Sequence, residues 1–119
     1  MKTRYRDSTA YQTRDGSTIR ELMHPERHAN RNQSLAEATI EAGGITRRHR
    51  HRLSEELYHV TAGQGRMYLD EEVFEVGVGD TVLILPGTAH AIENTGLGPL
   101  RILCCCAPPY SHADTELLD

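Results

Sequence analysis

From residue 43 onward, turn-forming residues interrupt the chain about every ten positions, which leaves no room for a long helix. The interruptions are Gly43-Gly44, Ala62-Gly63-Gln64-Gly65, Asp70-Glu71-Glu72, Gly77-Val78-Gly79-Asp80, Pro86-Gly87 and the stretch 94–99. Between them lie Ile45–Arg52, Glu56–Thr61, Arg66–Leu69, Val73–Val76, Thr81–Leu85, Ala89–Glu93 and Leu100–Cys106. Short segments in series at this spacing predict an all-β fold, a sandwich or a barrel.

Upstream, Ser17–Met23 reads as a further short strand. In residues 34–42, Ala36, Ala38, Ile40 and Ala42 alternate with Glu37, Thr39 and Glu41. That is a strand pattern, although the same residues favour helix and Gly43-Gly44 would cap one. The all-β setting decides for strand. Residues 1–16 are polar and read as an irregular arm, 25–33 as a loop, and the stretch after Ala107 as a polar tail. With 119 residues the chain suits one compact domain, with an arm over 1–22 and a barrel over 23–119.

Composition narrows the partners. The longest apolar run, Ile102 to Ala107, is far shorter than the roughly 20 residues a membrane-spanning helix needs. No apolar stretch follows the basic start, so the expected compartment is the cytoplasm. A net charge of −4 argues against nucleic acid as a partner. The charge is uneven: residues 1–52 hold 11 of the 13 basic and 6 of the 17 acidic groups. Attraction between the halves, within one fold or between subunits, is the simplest consequence. Cys104, Cys105 and Cys106 are consecutive, which is neither a disulfide framework nor the spacing of a structural zinc site. In a strand, Cys104 and Cys106 point to one face and Cys105 to the other, and the three read as small buried hydrophobes.

Four residues offer metal chemistry: His49, His51, Glu56 and His90. In a strand, positions i and i+2 share a face, so His49 and His51 project together and can reach one ion about 2.0–2.1 Å away. Glu56 opens the next segment, and His90 follows the Pro86-Gly87 turn. Three imidazoles and a carboxylate suit Fe, Mn, Ni, Cu, Co or Zn and leave positions open for a substrate. His24, His28 and His112 lack partners at ligand spacing and read as surface residues. His59 has the opposite parity to Glu56 and should point away from the metal.

The segment Gly43-x5-His49-x-His51-x4-Glu56-x6-Gly63 resembles the first motif of the cupins. Gly79-x5-Leu85-Pro86-Gly87-x2-His90-x3-Asn94 resembles their second motif, with Leu85 where the family usually has proline. The resemblance implies a cupin β-barrel, a double-stranded β-helix or jelly roll of two antiparallel sheets. It also implies one divalent transition metal ion held by His49, His51, Glu56 and His90 inside the barrel mouth. It further implies a homodimer, often with an N-terminal strand exchanged between subunits. The motif spacing selects Glu56 over Glu55 as the carboxylate ligand. Gly43, Gly63, Gly79 and Gly87 then serve tight turns, and Asn94 ties a turn through its side chain.

Fold does not settle function. The leading expectation is a metal-dependent enzyme acting on a small organic molecule: a dioxygenase, isomerase, lyase or cyclase. The alternative is a non-catalytic metal-dependent binding or sensor module, weakened by the lack of an accompanying helix-turn-helix. A storage protein with a vestigial site fits poorly with an intact ligand set. Arg47 shares strand parity with His49 and is a candidate for a substrate anion, or for an ion pair with Glu93. Tyr58 shares the parity of Glu56 and is a candidate acid or hydrogen-bond donor. One of Met67 and Tyr68 faces the interior. Arg48, Arg50 and Arg52 should face outward.

Overall fold

The computed structural model describes residues 1–119. Two antiparallel sheets face each other. The first has six strands in the order β1 (Ala10–Gln12), β2 (Thr18–Met23), β3 (Ser34–Ile40), β10 (Leu100–Ala107), β5 (Glu55–Ala62) and β8 (Thr81–Ile84). The second has five, in the order β11 (Thr115–Leu117), β4 (His49–His51), β9 (His90–Asn94), β6 (Gln64–Leu69) and β7 (Glu72–Gly77). No helix is long and apolar enough to cross a membrane.

Alternation sets which side chains meet between the sheets. In β3, Ser34, Ala36, Ala38 and Ile40 point in. In β10, Leu100, Ile102, Cys104 and Cys106 do, while Cys105 turns away. Residues 34–42 are therefore strand, because pairing with β2 and β10 overrides helix propensity. Met67, not Tyr68, is fully buried, and it joins Ile40, Val60, Ile92, Leu100 and Ile102 in the core. At that end of the barrel the inward residues are large. Towards the other end they shrink to Ala36, Ala38, Cys104 and Cys106, which leaves room for a cavity.

Turn chemistry holds the strands at this spacing. Gly43, Gly63, Gly79 and Gly87 all have positive φ. Gly63 is the most constrained, since a Cβ there would stand 2.5 Å from the Pro99 carbonyl oxygen. Asn94 donates to the carbonyls of Ile40 and Gly98 and accepts from the Gly96 N–H.

Both ends of the chain are more structured than their polarity suggests. After a short 3-10 turn, β1 pairs with β2 of the same chain, and β2 pairs with β3. The 22/23 boundary thus falls inside a strand, and the arm joins its own barrel's sheet. The expected polar tail forms β11, which pairs with β4 beside the histidines. Charge explains part of this docking. Arg47 pairs with Asp119, and Arg50 and Arg52 with Glu116, so the basic first half does meet the acidic second.

Candidate metal centre

His49 and His51 share the inner face of β4 because one residue lies between them. His90 begins β9 and is the registered partner of His49, so the backbone pairing brings the third imidazole alongside. The ring centroids stand 4.2 Å (His49–His90), 5.2 Å (His49–His51) and 5.4 Å (His51–His90) apart. Glu56 comes from β5 of the facing sheet, so the four residues meet between the layers. The Gly87 N–H donates to the His51 carbonyl at 2.7 Å, which ties the Pro86-Gly87 turn to the histidine strand.

The outer ring nitrogens fix the tautomers. His49 Nδ1 bonds the Arg47 carbonyl at 2.8 Å and His90 Nδ1 bonds the Thr88 carbonyl at 2.9 Å. Carbonyls only accept, so both Nδ1 atoms carry the proton. His51 Nδ1 lies 3.0 Å from Thr115 Oγ1, whose own hydrogen goes to the Ser111 carbonyl, so this Nδ1 also donates. All three Nε2 atoms then present lone pairs inward. Outer-sphere acceptors of this kind orient metal-binding imidazoles.

The ligand atoms of the three histidines lie within 4.8 Å of one another. Glu56 Oε1 is 3.2 Å from His51 Nε2 and 3.6 Å from His90 Nε2. Ligands about 2.1 Å from a shared ion stand about 3 Å apart at right angles and about 3.4 Å apart at tetrahedral angles. Glu56 Oε1 and His90 Nε2 are buried without a hydrogen-bond partner. Converging lone pairs that cannot bond one another fit a cation. Burial raises the Glu56 carboxyl; protonated imidazoles at His51 and His90 would outweigh it through hydrogen bonds and charge and hold it at about 2, and with the protons on Nδ1 a shared cation would supply that positive charge instead. Burial and the neighbouring His90 lower His49, which favours the neutral imidazole a metal needs.

The site belongs to a cavity of about 670 Å³, counting the open space at its mouth. Ala36, Ala38, Ile40, Ile92 and Ile102 make its apolar wall. Tyr58 is buried on the same face as Glu56, with its ring 6.0 Å from that of His90. Burial, and then the charge of Glu56, push its phenol well above the usual range, so it remains a neutral hydroxyl. Cys106 donates its thiol to Glu56 Oε2 at 3.2 Å, and burial raises it too.

Residues 36–106 match the cupin domain family. The chain is a cupin. Over its whole length it is 53% identical to the protein MJ1618 of Methanocaldococcus jannaschii, covering 95% of that protein. Two solved structures share the fold at lower identity. The polyketide cyclase RemF of Streptomyces resistomycificus superposes with a TM-score of 0.83 at 20% identity, covering 100% of this chain and 85% of that one. The nucleoside dehydratase Pac13 of Streptomyces gives a TM-score of 0.81 at 18% identity, over 99% of this chain and 90% of that one.

Several residues of this cupin depart from the expectations. Arg47 does not point inward. Strand β4 begins only at His49, so alternation does not extend back to residue 47, and Arg47 lies exposed against Asp119 rather than Glu93. His24 is buried, not a surface residue: Nδ1 accepts from the Glu26 N–H and Nε2 donates to the Tyr110 carbonyl. His28 caps the same turn by accepting from the His24 N–H, whereas His112 is exposed as expected. His59 bonds Thr81, on the outer face. Glu56 is buried and Glu55 exposed, which bears out the strand register. Sequence reasoning missed Tyr110, whose ring lies 5.8 Å from His51 and whose phenol burial pushes up to about 12. It also missed Asp15, whose Oδ2 is 3.7 Å from His49 Nε2. Both lie outside the motifs, and only the folded ends of the chain bring them in.

Proposed function

We propose that this cupin is a metal-dependent enzyme acting on a small, partly apolar organic molecule. One divalent transition metal ion would be held by His49, His51, His90 and Glu56. The observation that carries this is the convergence of three Nε2 lone pairs and a carboxylate oxygen with no hydrogen donor between them. The bound ion would supply Lewis acidity to an oxygen of the substrate.

The chain's own residues do the rest. Ala36, Ala38, Ile40 and Ile102 exclude water and accept the apolar part of the molecule. Tyr58, kept neutral by burial, can donate a hydrogen bond at the metal-facing wall. Cys106 fixes one oxygen of Glu56 and leaves the other turned to the imidazoles. A dehydratase and a cyclase stand among the structural neighbours, which favours isomerase, lyase or cyclase chemistry over oxygen chemistry. The same reading includes a homodimer. Leu35, Cys105, Leu57 and Leu83 lie in register across the outer face of the six-stranded sheet, and the three leucines are exposed.

Metal analysis of protein purified without added metal, followed by titration of the stripped protein with Fe, Mn, Co, Ni, Cu and Zn, tests the site. Failure of every ion to bind refutes it. Turnover of candidate substrates by the loaded protein then tests the enzyme. Tight binding without product would make this a binding module instead. Light scattering of the full chain tests the dimer, and a monomer overturns it.

A further inference from the structure

The β1–β2 hairpin brings a second carboxylate to the histidines, from a part of the chain that neither motif includes. Asp15 lies in the turn between Gln12 and Thr18, where Gly16 takes a left-handed φ of 95°. Its two oxygens have separate partners. Oδ1 accepts from the Thr13 hydroxyl at 2.5 Å, the Ser17 N–H at 2.9 Å and the Ser17 hydroxyl at 2.7 Å. Those bonds fix the rotamer and leave Oδ2 aimed inward, 3.7 Å from His49 Nε2, with the side chain only 16% exposed. The Arg47 N–H donates to the Asp15 carbonyl at 2.8 Å and pins the hairpin tip to the segment leading into the histidine strand.

The contact between Oδ2 and His49 is not a hydrogen bond between neutral partners. The His49 proton is on Nδ1, so a carboxylate oxygen faces a nitrogen lone pair. A shared cation would relieve that opposition, as it would for Glu56. The two carboxylates contact different imidazoles: Glu56 those of His51 and His90, Asp15 that of His49. We propose that Asp15 Oδ2 is a fifth protein ligand of the metal, supplied by the N-terminal hairpin. This rests on the metal-site reading above and extends it. A set of five with two carboxylates and one remaining position suits a five- or six-coordinate ion such as Mn, Fe, Co or Ni better than tetrahedral zinc.

The test is Co(II) titration of the stripped full chain, read by chelator competition for affinity and by visible absorption for the ligand field. The variants are Asp15→Asn and His90→Ala. Asparagine keeps an acceptor for Thr13 and Ser17, so the turn survives while the anionic ligand is lost. Asp15→Ser, whose hydroxyl can serve the same turn, is the second variant should the first not fold. The expected result is at least a tenfold weaker Co(II) affinity for Asp15→Asn, with shifted or rescaled absorption bands. An affinity within threefold of the unaltered protein overturns the proposal. So does a larger loss with an unchanged spectrum, because Asp15 would then act through charge or the turn alone. His90→Ala separates the two readings. If it too leaves Co(II) binding intact, the metal site itself falls. If it abolishes binding while Asp15→Asn does not weaken it, only the fifth ligand falls.

Discussion

Replacing Glu56 with glutamine keeps the shape of the side chain and removes its charge. Oε1 stands 3.2 Å from His51 Nε2 and 3.6 Å from His90 Nε2, and the residue is 5% exposed. Even at an effective dielectric of about 20, a carboxylate about 2.1 Å from a divalent ion attracts it by roughly 15 kcal/mol. Desolvation of the carboxylate and the ion takes back most of this, so a net loss of roughly 2–4 kcal/mol is expected, about 30- to 700-fold in affinity. At fixed metal concentration, a hundredfold loss removes up to about 2.7 kcal/mol of metal-linked stabilisation. For a domain of this size that lowers the melting temperature of the loaded protein by about 10 °C. Glu55→Gln is the matched control. Glu55 is exposed on the opposite face of β5, where water and salt screen it from the ion. Isothermal titration and thermal melts of both variants, with and without metal, decide the matter. Equal effects of the two changes, or a larger one from Glu55→Gln, would refute the reasoning.

Three further outcomes are expected. His90→Ala lowers metal affinity by about a hundredfold or more, whereas His112→Ala, at an exposed residue bonded only to the Tyr110 hydroxyl, leaves metal content unchanged in elemental analysis. Cys106→Ala removes the thiol donor from Glu56 Oε2 and weakens metal binding by about tenfold, while Cys106→Ser, which keeps a donor, weakens it less; equal losses in titration would count against the contact. Ile102 is 0% exposed in the core, so Ile102→Ala costs about 3 kcal/mol in denaturant unfolding of the metal-free protein, and a loss under about 1 kcal/mol would show that the core collapses around the gap.

The parts of the site legible in the sequence are those governed by short-range periodicity. His49 and His51 share a face because a strand repeats every two residues, and that spacing is visible without any fold. The same rule puts Cys104 and Cys106 on one face and Cys105 on the other; only the packing of β10 shows that the first face is the inner one. Motif spacing selects Glu56 over Glu55, and the pleat of β5 buries Glu56 and exposes Glu55. The glycines of the turns were legible too, since positive φ is a local demand that few other residues meet.

Arg47 shows where periodicity stops: parity carries information only inside a strand, and β4 starts two residues later. The burial of His24 is not legible locally, because its partner, the Tyr110 carbonyl, is 86 positions away. The polar ends of the chain looked irregular because their pairing is with distant strands, β1 and β2 beside β3, and β11 beside β4. The strand periodicity, the turns and the candidate set of three histidines and one carboxylate are legible in the residues and their spacing. Folding alone brings the outlying groups beside that set: Asp15, Tyr110 and Thr115 near the histidines, and Cys106 at Glu56. The reason is that a cross-sheet contact depends on the register of several strands at once, and no local spacing encodes that register.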